Sequence, residues 1–193
     1  VNVAPALTNA TATASPEIIC SGANAQLTAA SGIIGENTPS NYCIPTVGFT
    51  GATADYISNV SFADINNSSG DDPADYTDYT SIQIANVTAG VPTTISLTSG
   101  GSQTFSVWID YNQDGVFQST ERVAATTTSS TSASGPITIP VTAFNGQTRM
   151  RVGCRYSSAI TAAQACGHTG WGEYEDYSVN ISGATDKPTY TYS

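Results

Sequence analysis

Residues 103–115 read Gln-Thr-Phe-Ser-Val-Trp-Ile-Asp-Tyr-Asn-Gln-Asp-Gly. Within Thr104–Ile109, Phe105, Val107 and Ile109 recur with a period of two, which puts them on one face of a β-strand. The run then stops at an Asp-Gly turn signal. Working outward, the same reading gives strands at Tyr56–Ile65, Thr80–Val87, Pro92–Thr98, Glu121–Thr127, Ser134–Val141, Thr148–Arg155 and Tyr174–Ser182. Tyr56, Val60 and Phe62 share one face of the first. In Arg149–Cys154 the inward set is Met150, Val152 and Cys154, with Arg149 and Arg151 outward. Ala89-Gly90, Gly100-Gly101 and Asn145-Gly146 supply further turns. Short strands roughly ten residues apart, with no helical period between them, predict an all-β fold, an antiparallel β-sandwich of jelly-roll type. Ala125–Ser134, rich in Thr and Ser, reads as a mobile edge loop.

Composition agrees. Only 10% of the 193 residues are Asp, Glu, Lys or Arg, well below the usual quarter or so. Long charged segments that favour helix are absent. The 15 acidic residues outnumber the five basic ones, Arg122, Arg149, Arg151, Arg155 and Lys187, giving a net charge of −10. Such a surface repels phosphate backbones and anionic lipid, so nucleic acid is an unfavourable partner and cations are favoured ones. No apolar run approaches the roughly 18 residues needed to insert into a membrane. Val1 opens directly into a polar stretch, as in a chain already processed.

The four cysteines, Cys20, Cys43, Cys154 and Cys166, form no Cys-x-x-Cys pair, and His168 is the only histidine. Zinc spacing is therefore lacking, and two disulfides formed in an oxidising compartment are expected, which places the chain outside the cell or on its surface. Chain order favours Cys20–Cys43 and Cys154–Cys166 among the three possible pairings. Asn-x-Ser/Thr sequons at Asn9, Asn59, Asn66, Asn67, Asn86 and Asn180 are glycan sites wherever such sequons are modified.

Three stretches divide the chain. Residues 1–40 carry no charged side chain before Glu17, and Pro5 and Pro16 punctuate them. Glu17–Cys20 and Ala25–Ala29 read as two short strands. Residues 41–183 hold the sandwich, and residues 184–193 end in a tail, Lys187–Ser193, whose Tyr/Thr alternation is strand-like.

The sharpest chemical signal is Asp110-Tyr111-Asn112-Gln113-Asp114-Gly115, continuing to Glu121. It fits the calcium-loop pattern D-x-[DN]-x-[DN]-G-x5-E at every position. Calcium takes six to eight hard oxygens. Asp110, Asn112 and Asp114 offer side chains, Val116 its carbonyl, and Glu121 both carboxylate oxygens. The competing reading is a hairpin whose Asp-Gly tip merely turns the chain. Two more acidic clusters are Gly70–Tyr79 (GDDPADYTDY) and Gly170–Tyr177 (GWGEYEDY). Asp78, Glu175 and Asp176 are the candidate ligands of a second calcium site there, with solvated loop acids the alternative. A catalytic triad would have to use His168, and no nucleophile elbow exists, so no enzyme activity is expected. Trp108, Trp171 and Tyr111 are candidates for a sugar-stacking platform or for core packing.

Tyr42-Cys43, Tyr76–Thr80 (YTDYT), Val107–Asn112 (VWIDYN), Asp114-Gly115, Phe117, Glu121–Val123, Thr148–Val152 (TRMRV) and Gly172–Tyr177 (GEYEDY) together resemble the GEVED domain of secreted bacterial surface proteins. Tyr174 stands where the name-giving motif has Val. The resemblance implies a β-sandwich carried by large extracellular proteins, without catalysis. Ala14–Ala29 is similar to the first two strands of Ig-like repeats in bacterial surface proteins. The expected function is a calcium-stabilised structural or adhesive subunit. Its charge-free N-terminal strip would add as a strand to a second copy and build a filament or surface layer. A carbohydrate-binding accessory module is the alternative.

Overall fold

The computed structural model describes the backbone of residues 11–15 and 26–30, and residues 42–49, 54–72 and 74–188 in full. The chain divides into two compact units, Val1–Glu36 and Asn37–Ser193. In the first, β1 (Thr11–Ser15) pairs antiparallel with β2 (Gln26–Ala30). The strand expected at Glu17–Cys20 lies outside the described residues.

The second unit is one nine-stranded sheet. Its strands are β3 (Ile57–Phe62), β4 (Ile65–Asn67), β5 (Tyr76–Asp78), β6 (Ile84–Thr88), β7 (Thr93–Ile109), β8 (Arg122–Ala125), β9 (Ser130–Ile137), β10 (Gly146–Tyr156) and β11 (Gly172–Ser182). The main order is β4-β3-β7-β10-β11-β5, with β8 and β9 also on β7 and β6 also on β11. The all-β expectation holds.

β7 makes the sheet curl. It runs 17 residues, and its two halves have different neighbours. Ile95 and Leu97 in the first half pair with β3 and β9. Ser106–Trp108 in the second half pairs with β10 and β8. Ile57, Val60 and Phe62 from β3 therefore meet Phe105, Val107 and Ile109 from β7, Met150 and Val152 from β10, and Tyr177, Val179 and Ile181 from β11 in a single core. Gly100-Gly101, expected as a turn between two strands, lies inside this one strand, where the register with β9 shifts.

Direction differs from expectation in one place. β11 pairs parallel with both β5 and β6. A period-two pattern says which face is buried but carries no information on strand direction. The stretch read as an edge loop at Ala125–Ser134 gives way from Ser130 to β9, whose Ser130, Thr131, Ser132 and Ser134 are all exposed.

The second half of β7 and most of β10 are buried on both faces. Residues 42–47 and 160–165 cover the face away from the core. Trp108 and Tyr174 pack there with Phe117, Ile160, Ala165, Tyr42 and Val47. Trp108 Nε1 donates to the Ala162 carbonyl at 3.0 Å, and Tyr174 OH to the Gln164 carbonyl at 2.6 Å.

Candidate functional site

The Asp110–Glu121 segment leaves the inner half of β7 and enters β8 through a short 3-10 turn, Ser119–Glu121. Asp110 and Glu121 are 0% and 1% exposed, although both are carboxylates. Asp110 Oδ2 accepts from Gly115 N at 2.9 Å and from Tyr42 OH at 2.5 Å, and Oδ1 accepts from Asp114 N at 3.2 Å. Asn112 Oδ1 accepts from Asp114 N at 3.0 Å, and Asp114 Oδ1 from Val116 N at 3.0 Å. Glu121 turns back across the loop, accepting from Asn112 N at 3.3 Å and Gln118 N at 3.0 Å. Gly115 has φ +83°, the left-handed conformation that the position after Asp114 requires. Phe117 anchors the loop, stacking on Tyr42 at 5.0 Å between ring centroids.

The electrostatics of this loop are unbalanced. Burial, opposed by N–H donors and aided by Asp110 and Asp114, pushes Glu121 up to about 7. Burial, with Asp110 contributing, raises Asp114 as well. Among the described residues neither has a salt-bridge partner. The donor set is oxygen only, as a hard cation requires. Val116 is exposed and donates its N–H to Asp114. Among the described residues no three Asp, Glu, His or Cys side chains stand at full ligating distance of one point. The loop's carboxylate oxygens rest on backbone N–H groups, on the Tyr42 hydroxyl and on the Asn112 and Gln118 amides.

Asp78, Glu175 and Asp176 do not form one site. Asp176 is on the β11 face turned away from the core, held by Arg151 Nε at 2.6 Å, Arg151 Nη2 at 2.7 Å and Arg149 Nη1 at 3.0 Å. Asp78 joins through Arg149 at 3.3 Å. Glu175, one residue away along the strand, faces the core with Glu173 and Tyr177, because adjacent strand residues point oppositely. Arg151, read as outward-facing, does point away from the core but is 0% exposed. Its remaining donors go to the Ala165 carbonyl at 2.8 Å, the Cys43 carbonyl at 2.8 Å and Cys43 Sγ. The available signal was the scarcity of bases: three of only five, Arg149, Arg151 and Arg155, lie on one strand, beside an acidic one.

The disulfide pairing also differs from the chain-order expectation. Cys43 bonds Cys166, with Cα atoms 5.8 Å apart, and Cys154 is a buried free thiol. Cys154 projects into the core beside Val152, whereas Cys166 belongs to the covering loop over the opposite face. Twelve residues of chain separation therefore misled. Cys20 lies outside the described residues.

His168 is buried, its Nδ1 accepting from Gly170 N at 3.2 Å, which leaves Nε2 to donate to the Cys154 carbonyl at 3.1 Å. Burial lowers its pKa, so the ring is neutral and fully engaged with backbone. Trp108 is wholly buried, and Tyr111 is tied to the Thr120 carbonyl, while Trp171 is 36% exposed and stacks on Phe49 at 5.0 Å. Asn66, Asn86 and Asn180 are exposed; Asn59 and Asn67 are half-buried, with their amide groups donating to neighbours. Asn9 lies outside the described residues.

No curated protein and no solved structure matches the chain. Residues 104–180, from the second half of β7 through most of β11, match the GEVED domain.

Proposed function

We propose that this chain is a non-catalytic extracellular structural or adhesive module, stabilised by calcium in the Asp110–Glu121 loop. The observation that carries this reading is the burial of Asp110 and Glu121 in one loop, where burial first, and then the Asp110 and Asp114 charges, raise the glutamate. A cation relieves that repulsion. The neutral, backbone-bound His168 supports the absence of catalysis. The Cys43–Cys166 bond suits an oxidising compartment. Among the described residues no helix is long and apolar enough to cross a membrane.

Calcium bound to the folded state alone raises stability by about 2.7 kcal/mol at a hundredfold excess over Kd. Thermal melting of wild type and Asp114→Ala, each with calcium and with EDTA, measures this. Wild type gains stability with calcium and Asp114→Ala gains distinctly less. An identical wild-type midpoint in EDTA and calcium overturns the reading.

Assembly by strand addition belongs to the same proposal. β1 and β2 form a two-stranded unit, and such a pair is marginal in water without a further strand or packing partner. The Phe49–Trp171 pair favours a second reading, stacking on a sugar ring. Glycan binding that Trp171→Ala abolishes would establish it.

A further inference from the structure

The core-facing side of β11 carries two glutamates, Glu173 and Glu175, that are 1% and 0% exposed. Each is half satisfied. Glu173 Oε2 accepts from Ile57 N at 2.7 Å, and Glu175 Oε2 accepts from Tyr177 OH at 2.7 Å. The other oxygen of each, Oε1, is buried without a partner. Leaving a buried carboxyl oxygen without a partner forfeits its hydration with nothing in return, and native structures hold few such atoms. Two lie here, two residues apart on one strand face.

The loop between β4 and β5 brings more negative charge to the same place. Asp71 and Asp72 both act electrostatically on Glu173, and Asp72 also acts on Glu175. Ser69 donates to the Ile57 carbonyl at 2.9 Å, tying the loop to the residue whose N–H holds Glu173. Burial and then the Glu175 charge push Glu173 up to about 9, and burial pushes Glu175 up to about 7.

Among the described residues no basic side chain forms an ion pair with Glu173 or Glu175. Arg149 and Arg151 serve Asp176 on the opposite face of the sheet. Arg122 donates to the Ile160 carbonyl, Arg155 lies against Gly170, and Lys187 donates to the Gln113 carbonyl. These are all five basic residues of the sequence.

We propose that Glu173 and Glu175, together with Asp72 and Asp71 of the overlying loop, bind a divalent cation of calcium type, at a site separate from the Asp110–Glu121 loop. Calcium accepts irregular oxygen cages with carboxylates from a strand and a loop. It would take up the two unpartnered oxygens and cancel the mutual repulsion of the four acids. The loop acids would close onto the fixed glutamates, since the described carboxylates do not yet converge on one point.

The test is calcium titration calorimetry on the full chain, in wild type, Asp114→Ala, Glu173→Gln/Glu175→Gln and Asp72→Asn. Asp114→Ala isolates this site from the other loop. It should retain at least one bound calcium, and Asp72→Asn, which sits on an accessible loop, should weaken one of the wild-type sites at least tenfold. The double glutamine variant copies the shape of the protonated pair and should bind one ion fewer than wild type. Wild-type stoichiometry and affinity in both the glutamine and the Asp72→Asn variants overturn the proposal. Loss of all calcium in Asp114→Ala also overturns it while leaving the 110–121 loop intact as a site.

Discussion

Arg151 shows how one residue can hold two layers together. All of its donors are used, on Asp176, Ala165 and Cys43, and its guanidinium stacks over Phe117 at 4.8 Å. The covering loops are thus clamped to β10 beside the Cys43–Cys166 bond. Removing one partner of a buried pair leaves the other charge stranded, which costs about 3–5 kcal/mol. Arg151→Ala should lose about that much in denaturant unfolding, and a loss below about 1 kcal/mol would show the pair to be incidental. Arg149, which also reaches Asp176, keeps the loss toward the lower figure.

At the scale of the element, β10 and β11 are in register over ten residue pairs, from Gly146↔Ile181 to Arg155↔Gly172. That register fixes which acid meets which face: Asp176 is opposite Arg151, and Glu173 is opposite Cys154. Gly172 begins the strand at φ +154°, where an added Cβ would sit 2.0 Å from the Cys154 carbonyl oxygen. A backbone atom cannot swing aside as a side-chain tip can. Gly172→Ala is therefore expected to cost about 3 kcal/mol or more, at the upper end of single substitutions. A melting midpoint equal to wild type would contradict the tight approach of the two strands.

For the whole molecule, the raised glutamates set a pH dependence. Glu121, Glu173 and Glu175 all hold their protons more tightly in the folded, metal-free chain than a free glutamate does. Their stabilisation is complete below the ordinary glutamate range. It fades as pH rises through about 7 for Glu121 and Glu175 and about 9 for Glu173. In EDTA, the denaturant midpoint should fall between about pH 5 and 9, and calcium should flatten or reverse that slope, because metal needs deprotonated ligands. A midpoint that climbs with pH in EDTA would rule this out. The assembly proposal is tested at the same scale by deleting residues 1–15. Removing β1 leaves β2 without its mate, so assemblies seen with the full chain should vanish from sizing and electron microscopy. Unchanged assemblies would refute strand addition through this segment.

The sequence by itself determined the fold class and the position of the 110–121 loop. Both are local properties. The period of two in Phe105, Val107 and Ile109 is a property of the strand alone, and the spacing of Asp110, Asn112, Asp114 and Glu121 lies within one short loop. Tertiary structure decided what depends on which distant segment arrives at a given face. Only the curl of β7 merges two expected strands into one. The covering loops turn Arg149 and Arg151 from outward-facing side chains into buried ones. Cys43 and Cys166 meet across 123 residues of chain because both lie on the outer face while Cys154, nearer in sequence, points into the core. The strand alternation that separates Asp176 from Glu173 and Glu175 was readable in the sequence. Which of the two faces held the arginines, and which was left with carboxylates alone, was settled only when the sheet closed.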